Sequence, residues 1–459
     1  MFQTKKQRHR WALATLIVVI IGLLIGAFVW IRATSTRQLP LGTPQPSHKL
    51  ATVKLTGPLS QTTDTHPVAT FKITDAKTGI KQKAYVKMQW QGQSSRRYDK
   101  KNWKLKFYRD KKLKHKLKWR AQPGWKKQST YVLKANYIDA TQARNLVNAK
   151  LWSSMVATRD GAPKQLADAQ NNGAVTGFPV KVKTNGNQWG VYTLNTAKNA
   201  KLWHMDKHNR EHMALSSNGW TRSDLFRADD VDFNATGWTP DVPKTLSTAQ
   251  KDEFRRLVHF VNTSDDHQFK AKAGNYLDVN SVIDMYLFTN LIHDQDGLGR
   301  NFELVTYNGQ RWSATMYDMD STWGLYENGR HLYPSGTAVS HNYPNHGDLK
   351  TAEGNRLIQR VVQAYPQRVQ ARWRQLRKQT LTPTVVNQDF TTLMTQIGEQ
   401  NYQQTFKLTP GIPSKRLTSL MQVRRSIKRQ FKDSDALFNN YTSNVQHLKF
   451  NYVPPTPVQ

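Results

Sequence analysis

The chain has 459 residues, no cysteine and a formal net charge of +35, from 67 Lys and Arg against 32 Asp and Glu. The lack of cysteine excludes disulfide scaffolds, cysteine-ligated zinc sites and cysteine nucleophiles. The 14 tryptophans and the alternating apolar segments exclude a disordered basic tail, because such a chain has enough apolar surface to bury. The charge predicts a polyanionic neighbour, either nucleic acid, anionic lipid or an anionic cell-wall polymer.

The N-terminal region predicts a membrane anchor. Residues 11–31 are uncharged and rich in Ile, Leu and Val, and about 20 such residues span a bilayer as a helix. Four Lys or Arg precede this segment and two follow it before residue 40. The positive-inside rule therefore predicts a cytoplasmic tail at 1–10, a transmembrane signal anchor at 11–31 and an extracellular remainder. A cleaved signal peptide is the alternative.

An extracellular domain disfavours nucleic acid as a partner and favours anionic wall polymer or a lipid surface. A basic surface without a specific partner is the alternative. Residues 32–50 are rich in Pro, Thr, Ser and Gln without apolar periodicity, which predicts a linker. Residues 446–459 form a Pro-containing tail, so the predicted folded domain is 51–445.

The first part of this domain has the period-2 alternation of strands. A helix is predicted over about 141–155, after a cap at Asp139. An Asn-Gly-Asn turn between two alternating runs predicts a hairpin over 178–195. The predicted strands are ATFKITD, KAYVKMQWQG, NWKLKFYR and STYVLKANY.

The second part begins with an apolar helix pattern over Val279–Ile292, followed by two strands that meet at a turn around Asn308 and Gly309. From about Gly354 the pattern is mostly helical, and the Arg-rich segment 367–377 is expected to present a basic solvent face. A β-rich N-lobe followed by a helical C-lobe is an α+β fold.

Four polar residues around the predicted hairpin suggest chemistry. Asp296 and Asn301 lie in the loop before it, and Asp318 and Asp320 lie at its end. If the hairpin folds back, Asp318 comes to lie beside Asn301. A cluster whose ligands are all oxygen atoms suits Mg²⁺ or Mn²⁺ with phosphate oxygens completing the coordination. Sites of phosphoryl transfer use such a metal together with a base. The alternative is that these acids are ordinary turn and capping residues.

Four segments resemble the CotH (spore-coat protein H) kinase family, an atypical protein-kinase-like group, over roughly residues 65–440. The resemblance implies an atypical kinase fold that uses ATP with Mg²⁺ or Mn²⁺. It implies that Asp296 is the catalytic carboxylate and that Asn301 and Asp318 are metal ligands, with Asp320 as an additional metal-site residue. The segments are QWQGQSSRRYDKKNWKLKF, IDATQARNLVNAKLWSSM, GVYTLN and DQDGLGRNFELVTYNGQRWSATMYDMDSTWG.

A basic segment, residues 96–127, holds 15 Lys or Arg and two acids. Lys104 and Lys106 share one face of its predicted strand. Either lysine would hold the nucleotide phosphates, with Ser94 and Ser95 covering them. A solvated strand face or a polymer-binding patch is the alternative.

The sequence departs from the kinase pattern in its acidic residues. No Glu occurs between residues 51 and 210, whereas an ordinary kinase pairs its strand lysine with a helix Glu. The partner of a strand lysine is therefore expected to be an Asp such as Asp139, unless the arrangement differs from that of an ordinary kinase. Where the family's G-x-Y strand often ends in Glu, this chain has Asn195. These departures leave open a degenerate, binding-only descendant.

Two functions follow. The first is a membrane-anchored extracytoplasmic kinase that phosphorylates a hydroxyl of a protein or a cell-envelope component. The second is a non-catalytic envelope protein that binds anionic wall polymer through its basic surface.

Overall fold

The computed structural model describes residues 50–450 except 61, 219–221, 223–224, 235–236, 333–348 and 353. The described residues belong to a compact unit that begins at His48. The tail 1–10 and the transmembrane helix predicted over 11–31 lie outside the described residues, as do nearly all of the linker 32–50 and most of the tail 446–459. No helix in the described part of the chain is long and apolar enough to cross a bilayer.

Seven strands of the first half close into a barrel in the order β1-β2-β3-β4-β5-β7-β6. Neighbouring strands are antiparallel except β1 and β6, which pair in parallel and complete the circle. Period-2 alternation directs apolar side chains such as Trp103, Leu105 and Phe107 into the interior. The strands are β1 Ala51–Thr56, β2 Val68–Thr74, β3 Lys81–Gln91, β4 Asn102–Tyr108, β5 Thr130–Lys134, β6 Gly177–Thr184 and β7 Asn187–Thr196.

The predicted hairpin is present as β6 and β7. Its turn residues Asn185 and Gly186 have φ angles of 49° and 86°, the left-handed pair that a two-residue turn requires. The predicted helix is present as α1, Arg144–Ala157, but it begins three residues later than expected. The Asp139 carboxylate accepts the Arg144 N–H at 2.9 Å and the Thr141 N–H at 3.1 Å, so the intervening residues form a turn.

The second half contains a four-stranded sheet as well as helices, with the strand order β11-β10-β8-β9. The predicted mixed α+β fold is confirmed, but this sheet means that the second lobe is not purely helical. Its strands are β8 Met213–Ser217, β9 Trp238–Val242, β10 Phe302–Thr306 and β11 Trp312–Met316. The remaining helices are α2 Lys164–Ala167, α3 Thr248–Thr263, α4 Asp266–Tyr276, α5 Val279–Ile292, α6 Arg356–Ala364, α7 Pro366–Gln379, α8 Pro383–Ile397, α9 Glu399–Leu408, α10 Leu420–Phe438 and α11 Tyr441–Asn444.

Helix α5 is the central helix of this half, since 12 of its 14 residues are buried. Its Asp284 carboxylate lies 2.7 Å from the Nε atoms of both Arg159 and Arg372. The expectation that segment 367–377 presents a basic solvent face is therefore wrong for Arg372, which is buried. Asp284 on α5 provides the Arg372 guanidinium group with a charged partner inside the protein.

Lys100, which with Lys101 directly precedes strand β4, is buried at the edge of the barrel. Its Nζ donates to the carbonyls of Ala135, at 3.1 Å, and of Val191. It also lies 4.2 Å from the centre of the Tyr192 ring. Burial lowers the pKa of Lys100 from 10.5 to about 7.

We expect Lys100 to make stability depend on pH. Because its pKa is lower in the folded protein, the unfolded chain binds more protons between about pH 7 and 10.5. Stability should therefore rise across this window, by at most about 1.4 kcal/mol per pH unit. Urea midpoints measured at several pH values would check this. Lys100→Met should flatten the rise, whereas Lys81→Met, at an exposed end of β3, should leave it unchanged. Equal slopes for Lys100→Met and wild type would contradict the expectation.

Candidate functional site

Helix α1 holds the loop that follows β11. The Arg144 Nε atom donates to the Thr322 carbonyl at 2.9 Å. The Asn148 amide donates to the Met319 carbonyl at 2.9 Å and accepts from the Trp323 indole N–H at 2.8 Å. All of these groups are buried, so α1 determines the shape of the loop, residues 318–324, which we call the acidic loop.

Asp139 is not available to a strand lysine. Its carboxylate lies 2.7 Å from Arg144 Nη1, and both side chains are at most 2% exposed. The prediction that Asp139 pairs with a lysine is therefore wrong. Arg144 forms an ion pair with that carboxylate and also hydrogen-bonds the acidic loop.

Four carboxylates, those of Asp294, Asp296, Asp318 and Asp320, form what we call the acidic cluster. The lysine that reaches this cluster is Lys134, the last residue of β5. Its ammonium group hydrogen-bonds the Asp318 carboxylate and lies 3.5 Å from the nearest Asp320 oxygen. Burial acts to lower the pKa of Lys134, but the negative charges of Asp318 and Asp320 outweigh it and raise the pKa. Sequence reasoning missed this residue. The available signal was a lone lysine at the end of the buried strand segment TYVL.

Asp318 is the point where the cluster converges. Asn301 donates its side-chain N–H to the Asp318 carbonyl at 3.1 Å, and Asn145 of α1 donates to the Asp318 carboxylate at 3.3 Å. The spacing predicted that Asn301 and Asp318 lie together, and they do. Asp318 has φ +60°, a left-handed conformation that Asp and Asn tolerate better than most residues. Metal ligation by either residue stays a prediction.

Asp296 begins a 3₁₀ turn directly after α5. Its carbonyl accepts the Asn301 N–H at 2.8 Å, which closes the loop between them. Burial raises the pKa of Asp296 to about 6; the Arg300 charge opposes this shift, and the Asp318 and Glu327 charges add to it. A carboxylate with a pKa near the working pH is suited to accepting a proton.

The cluster holds more acid than base. Asp294 is also buried; one of its oxygens accepts the Gly297 N–H at 3.1 Å, while the other, Oδ2, has no hydrogen-bond partner among the described residues. Burial and then the neighbouring Asp296 charge raise the pKa of Asp294 well above its ordinary value. Burial likewise raises the pKa of Asp320 to about 7, against the effect of Lys134. A crowded set of carboxylates with one lysine is an environment that favours an added cation.

The fit of a metal follows from the chemistry of these donors. Asp318, Asp320 and the amide oxygen of Asn301 are all hard oxygen ligands, which suit Mg²⁺ or Mn²⁺ rather than zinc. In the described part of the chain, no group of three His, Asp or Glu side chains is arranged to hold an ion. A metal held by these three oxygen donors would take its remaining ligands from phosphate and water.

The predicted serines lie in a 3₁₀ turn, Ser94–Arg97, directly after β3. Ser95 donates its hydroxyl to the Gln91 carbonyl at 3.1 Å, and its own carbonyl accepts the Tyr98 N–H at 3.3 Å. Burial and then the Asp320 charge raise the pKa of Tyr98. The structure thus brings this turn next to the acidic cluster.

Lys104 and Lys106 lie on the outward face of β4, as the alternation predicted, but among the described ion pairs neither lysine binds an acid of the cluster. Burial lowers the pKa of Lys104, and the charges of Lys244 and Lys106 lower it further. Both lysines remain predicted nucleotide ligands, while Lys134 is the lysine in contact with Asp318.

A second polar cluster, which sequence reasoning also missed, lies where β7 meets the second sheet. The Lys198 ammonium group lies 2.7 Å from Glu303 and 3.1 Å from Asp241. It donates to the Ser216 hydroxyl at 2.8 Å and lies 4.7 Å from the centre of the Tyr317 ring. Since Tyr317 precedes Asp318, this cluster borders the acidic loop on the side of the second sheet.

Removing the Asn148 side chain should loosen the acidic loop. Asn148→Ala leaves the buried Trp323 indole N–H without its acceptor, a loss of about 1–3 kcal/mol, and removes one of two donors to the Met319 carbonyl, which keeps the Thr322 hydroxyl at 3.3 Å. We expect a lower urea midpoint of unfolding, while Ser154→Ala on the same helix should change it little. A midpoint for Asn148→Ala equal to that of Ser154→Ala would show that these contacts do not support the loop.

Comparison with known proteins agrees with this geometry. A search of curated proteins found no match. A protein-family model described as CotH kinase protein matches residues 88–441, which include Lys134 and all four acids of the cluster. The match supports a kinase-like enzyme and covers more than half of the 459 residues. The suspected resemblance is therefore confirmed, and the chain belongs to the CotH kinase family.

Proposed function

We propose that this protein is an atypical kinase that transfers the γ-phosphoryl group of ATP to a hydroxyl of a protein or a cell-envelope acceptor. The observation that carries the proposal is the convergence of Lys134, Asn145 and Asn301 on Asp318, with the half-buried Asp296 in the same cluster. A phosphoryl-transfer site needs this combination of a cation, metal-binding oxygens and a base.

Each residue would have a distinct role. Asp318 and Asn301, with Asp320 beside them, would hold Mg²⁺ or Mn²⁺, which when bound neutralises phosphate charge. Lys134 would bind phosphate oxygens, and the Ser94–Arg97 turn would cover them. The acceptor hydroxyl oxygen bonds to the γ-phosphorus, the bond to the oxygen of ADP breaks, and Asp296 takes the hydroxyl proton. The departing ADP carries the negative charge of its terminal phosphate, and Asp296 then releases the proton to solvent.

We further propose that the enzyme is anchored in the membrane by residues 11–31 and works outside the cytoplasm. The uncharged apolar segment and the basic residues before it support this proposal. The net charge of +35 is consistent with work at an anionic wall or lipid surface.

Phosphoryl transfer by the full-length protein in detergent, with labelled ATP, Mg²⁺ or Mn²⁺ and an envelope fraction, tests the proposal. Asp296→Asn should reduce transfer by at least about 10²-fold, the usual contribution of a general base, while metal-dependent ATP binding persists. Asp252→Asn, on the exposed surface of α3, is the matched control and should be unaffected. Equal incorporation by wild type and Asp296→Asn would reject the proposal.

The second candidate is a non-catalytic protein that binds anionic wall polymer. The 15 Lys and Arg between residues 96 and 127 favour it. It predicts salt-sensitive binding to a poly(glycerol phosphate) polymer that Asp296→Asn does not change. Metal-dependent phosphoryl transfer by the wild type would count against it.

A further inference from the structure

An open cavity of about 650 Å³ lies at Tyr98, the residue that follows the Ser94–Arg97 turn. Tyr98 and Tyr137 stack along one wall, with ring centres 4.7 Å apart and planes 15° apart. Ile138, Ile412 and Pro413 add apolar surface. We call this cavity the Tyr98 pocket.

Fixed contacts hold the walls of the Tyr98 pocket together. The Tyr137 hydroxyl donates to the Gly411 carbonyl at 2.7 Å. The Ser414 hydroxyl accepts the Ala140 N–H at 2.8 Å and donates to the carbonyl of Ile138. The loop between α9 and α10 is therefore fastened to the segment that follows β5, so the pocket is largely pre-formed.

Two links connect the pocket to the catalytic residues. Tyr98 directly follows the Ser94–Arg97 turn that would cover the phosphates, and its N–H donates to the Ser95 carbonyl at 3.3 Å. The opposite wall carries Arg330, in a short turn bridged between residues 325 and 332, directly after the acidic loop. The pocket therefore adjoins both the turn that would cover the phosphates and the segment that follows the acidic loop.

The pocket is positively charged. Arg330, Lys415 and Arg416 line it, and none of its described lining residues is Asp or Glu. Asp99 accepts a hydrogen bond from Tyr137, but it does not line the cavity. Among the described residues, the side chains of Arg330 and Arg416 form no hydrogen bond or ion pair. Both guanidinium groups are exposed and therefore available to a carboxylate.

We propose that the Tyr98 pocket binds an acidic polypeptide segment of the phosphoryl acceptor, so that a neighbouring serine or threonine hydroxyl reaches Asp296. This inference rests on the proposed kinase function. The stacked tyrosines and the Ile and Pro side chains favour a polypeptide over a sugar-phosphate or glycerol-phosphate polymer, which has little apolar surface to bury. The arginines supply the planar donors that carboxylates prefer.

Peptide binding to the full-length protein in detergent tests the inference. The probe is a fluorescein-labelled peptide with one serine flanked by glutamates, and its matched control carries glutamines instead. Fluorescence anisotropy gives Kd, and labelled ATP gives KM for the peptide and for ATP. The pocket variant is Arg330→Gln with Arg416→Gln. The matched variant is Lys72→Gln with Lys83→Gln, two exposed and paired lysines on β2 and β3.

We expect the pocket variant to bind the acidic peptide about tenfold more weakly and to raise its KM to the same degree, with the KM for ATP unchanged. The matched variant should behave like wild type, and the glutamine peptide should bind weakly to all three proteins. Equal Kd values for the two double variants would overturn the inference. So would tight binding of polyphosphate together with failure to bind the peptide.

The two hypotheses fail in different ways. Loss of peptide binding in the pocket variant, in a protein that transfers no phosphate, would refute the kinase function and leave the pocket as an acidic-peptide site. Phosphoryl transfer that is indifferent to the pocket variant would refute the pocket and leave the kinase.

Discussion

Asp318→Asn is expected to abolish metal-dependent ATP binding and to reduce phosphoryl transfer about 10³-fold, equivalent to about 4 kcal/mol of transition-state stabilisation. The variant removes the negative charge of Asp318 and changes little else. Asn tolerates the left-handed backbone at φ +60°, and its side-chain oxygen still accepts from Lys134 and Asn145. What it removes is the carboxylate that would ligate the metal.

The measurement is the rise in melting temperature on adding ATP with Mg²⁺ or Mn²⁺, together with the rate of transfer. Asp320→Asn is the informative comparison, because Asp320 lies farther from Lys134, at 3.5 Å, and should have a smaller effect. If Asp318→Asn retains the metal-dependent thermal shift of wild type, Asp318 is not the main metal ligand.

The second large effect is expected on stability, from Asp284→Ala. This carboxylate is fully buried on α5 and pairs with Arg159 and Arg372, each at 2.7 Å. Arg372 also donates to the Thr158 carbonyl at 2.8 Å, so the network joins α1, α5 and α7. Removing the acid leaves Arg372 without an acidic partner among the described residues and leaves Arg159 with Asp278 at 3.8 Å, which should cost about 3–5 kcal/mol. Urea unfolding followed by tryptophan fluorescence would measure it.

The control for this prediction is Asp252→Ala. Its partner Arg255 lies at 2.9 Å, but both side chains are about half exposed, so the expected change is below about 1 kcal/mol. Replacing all three residues together, by Asp284→Leu with Arg159→Met and Arg372→Met, should recover part of the lost stability, since both guanidinium groups that face Asp284 are removed with it, while Asp278 keeps Arg311 at 3.9 Å. Comparable midpoints for Asp284→Ala and Asp252→Ala would show that the network contributes little.

Local sequence patterns were sufficient for most individual elements. The hairpin at residues 178–195 and the helix Val279–Ile292 were predicted because a turn chemistry and a continuous apolar run act over a few neighbouring residues. Local sequence patterns gave a wrong prediction where the environment of a residue depends on a partner distant in sequence. Segment 367–377 was expected to present a basic solvent face, but Arg372 is buried because Asp284 lies opposite it.

The sequence by itself determined the mixed α+β fold, the family, and the proximity of Asn301 to Asp318, because these follow from short-range periodicity and from residues joined by one hairpin. Only the tertiary structure decided that β1 closes a barrel against β6 and that Lys134 is the lysine at the acidic cluster. Lys134 and Asp318 are 184 residues apart in sequence. Many lysines precede the cluster in the chain, and the one that meets it is chosen by how the barrel packs against α1 and the acidic loop.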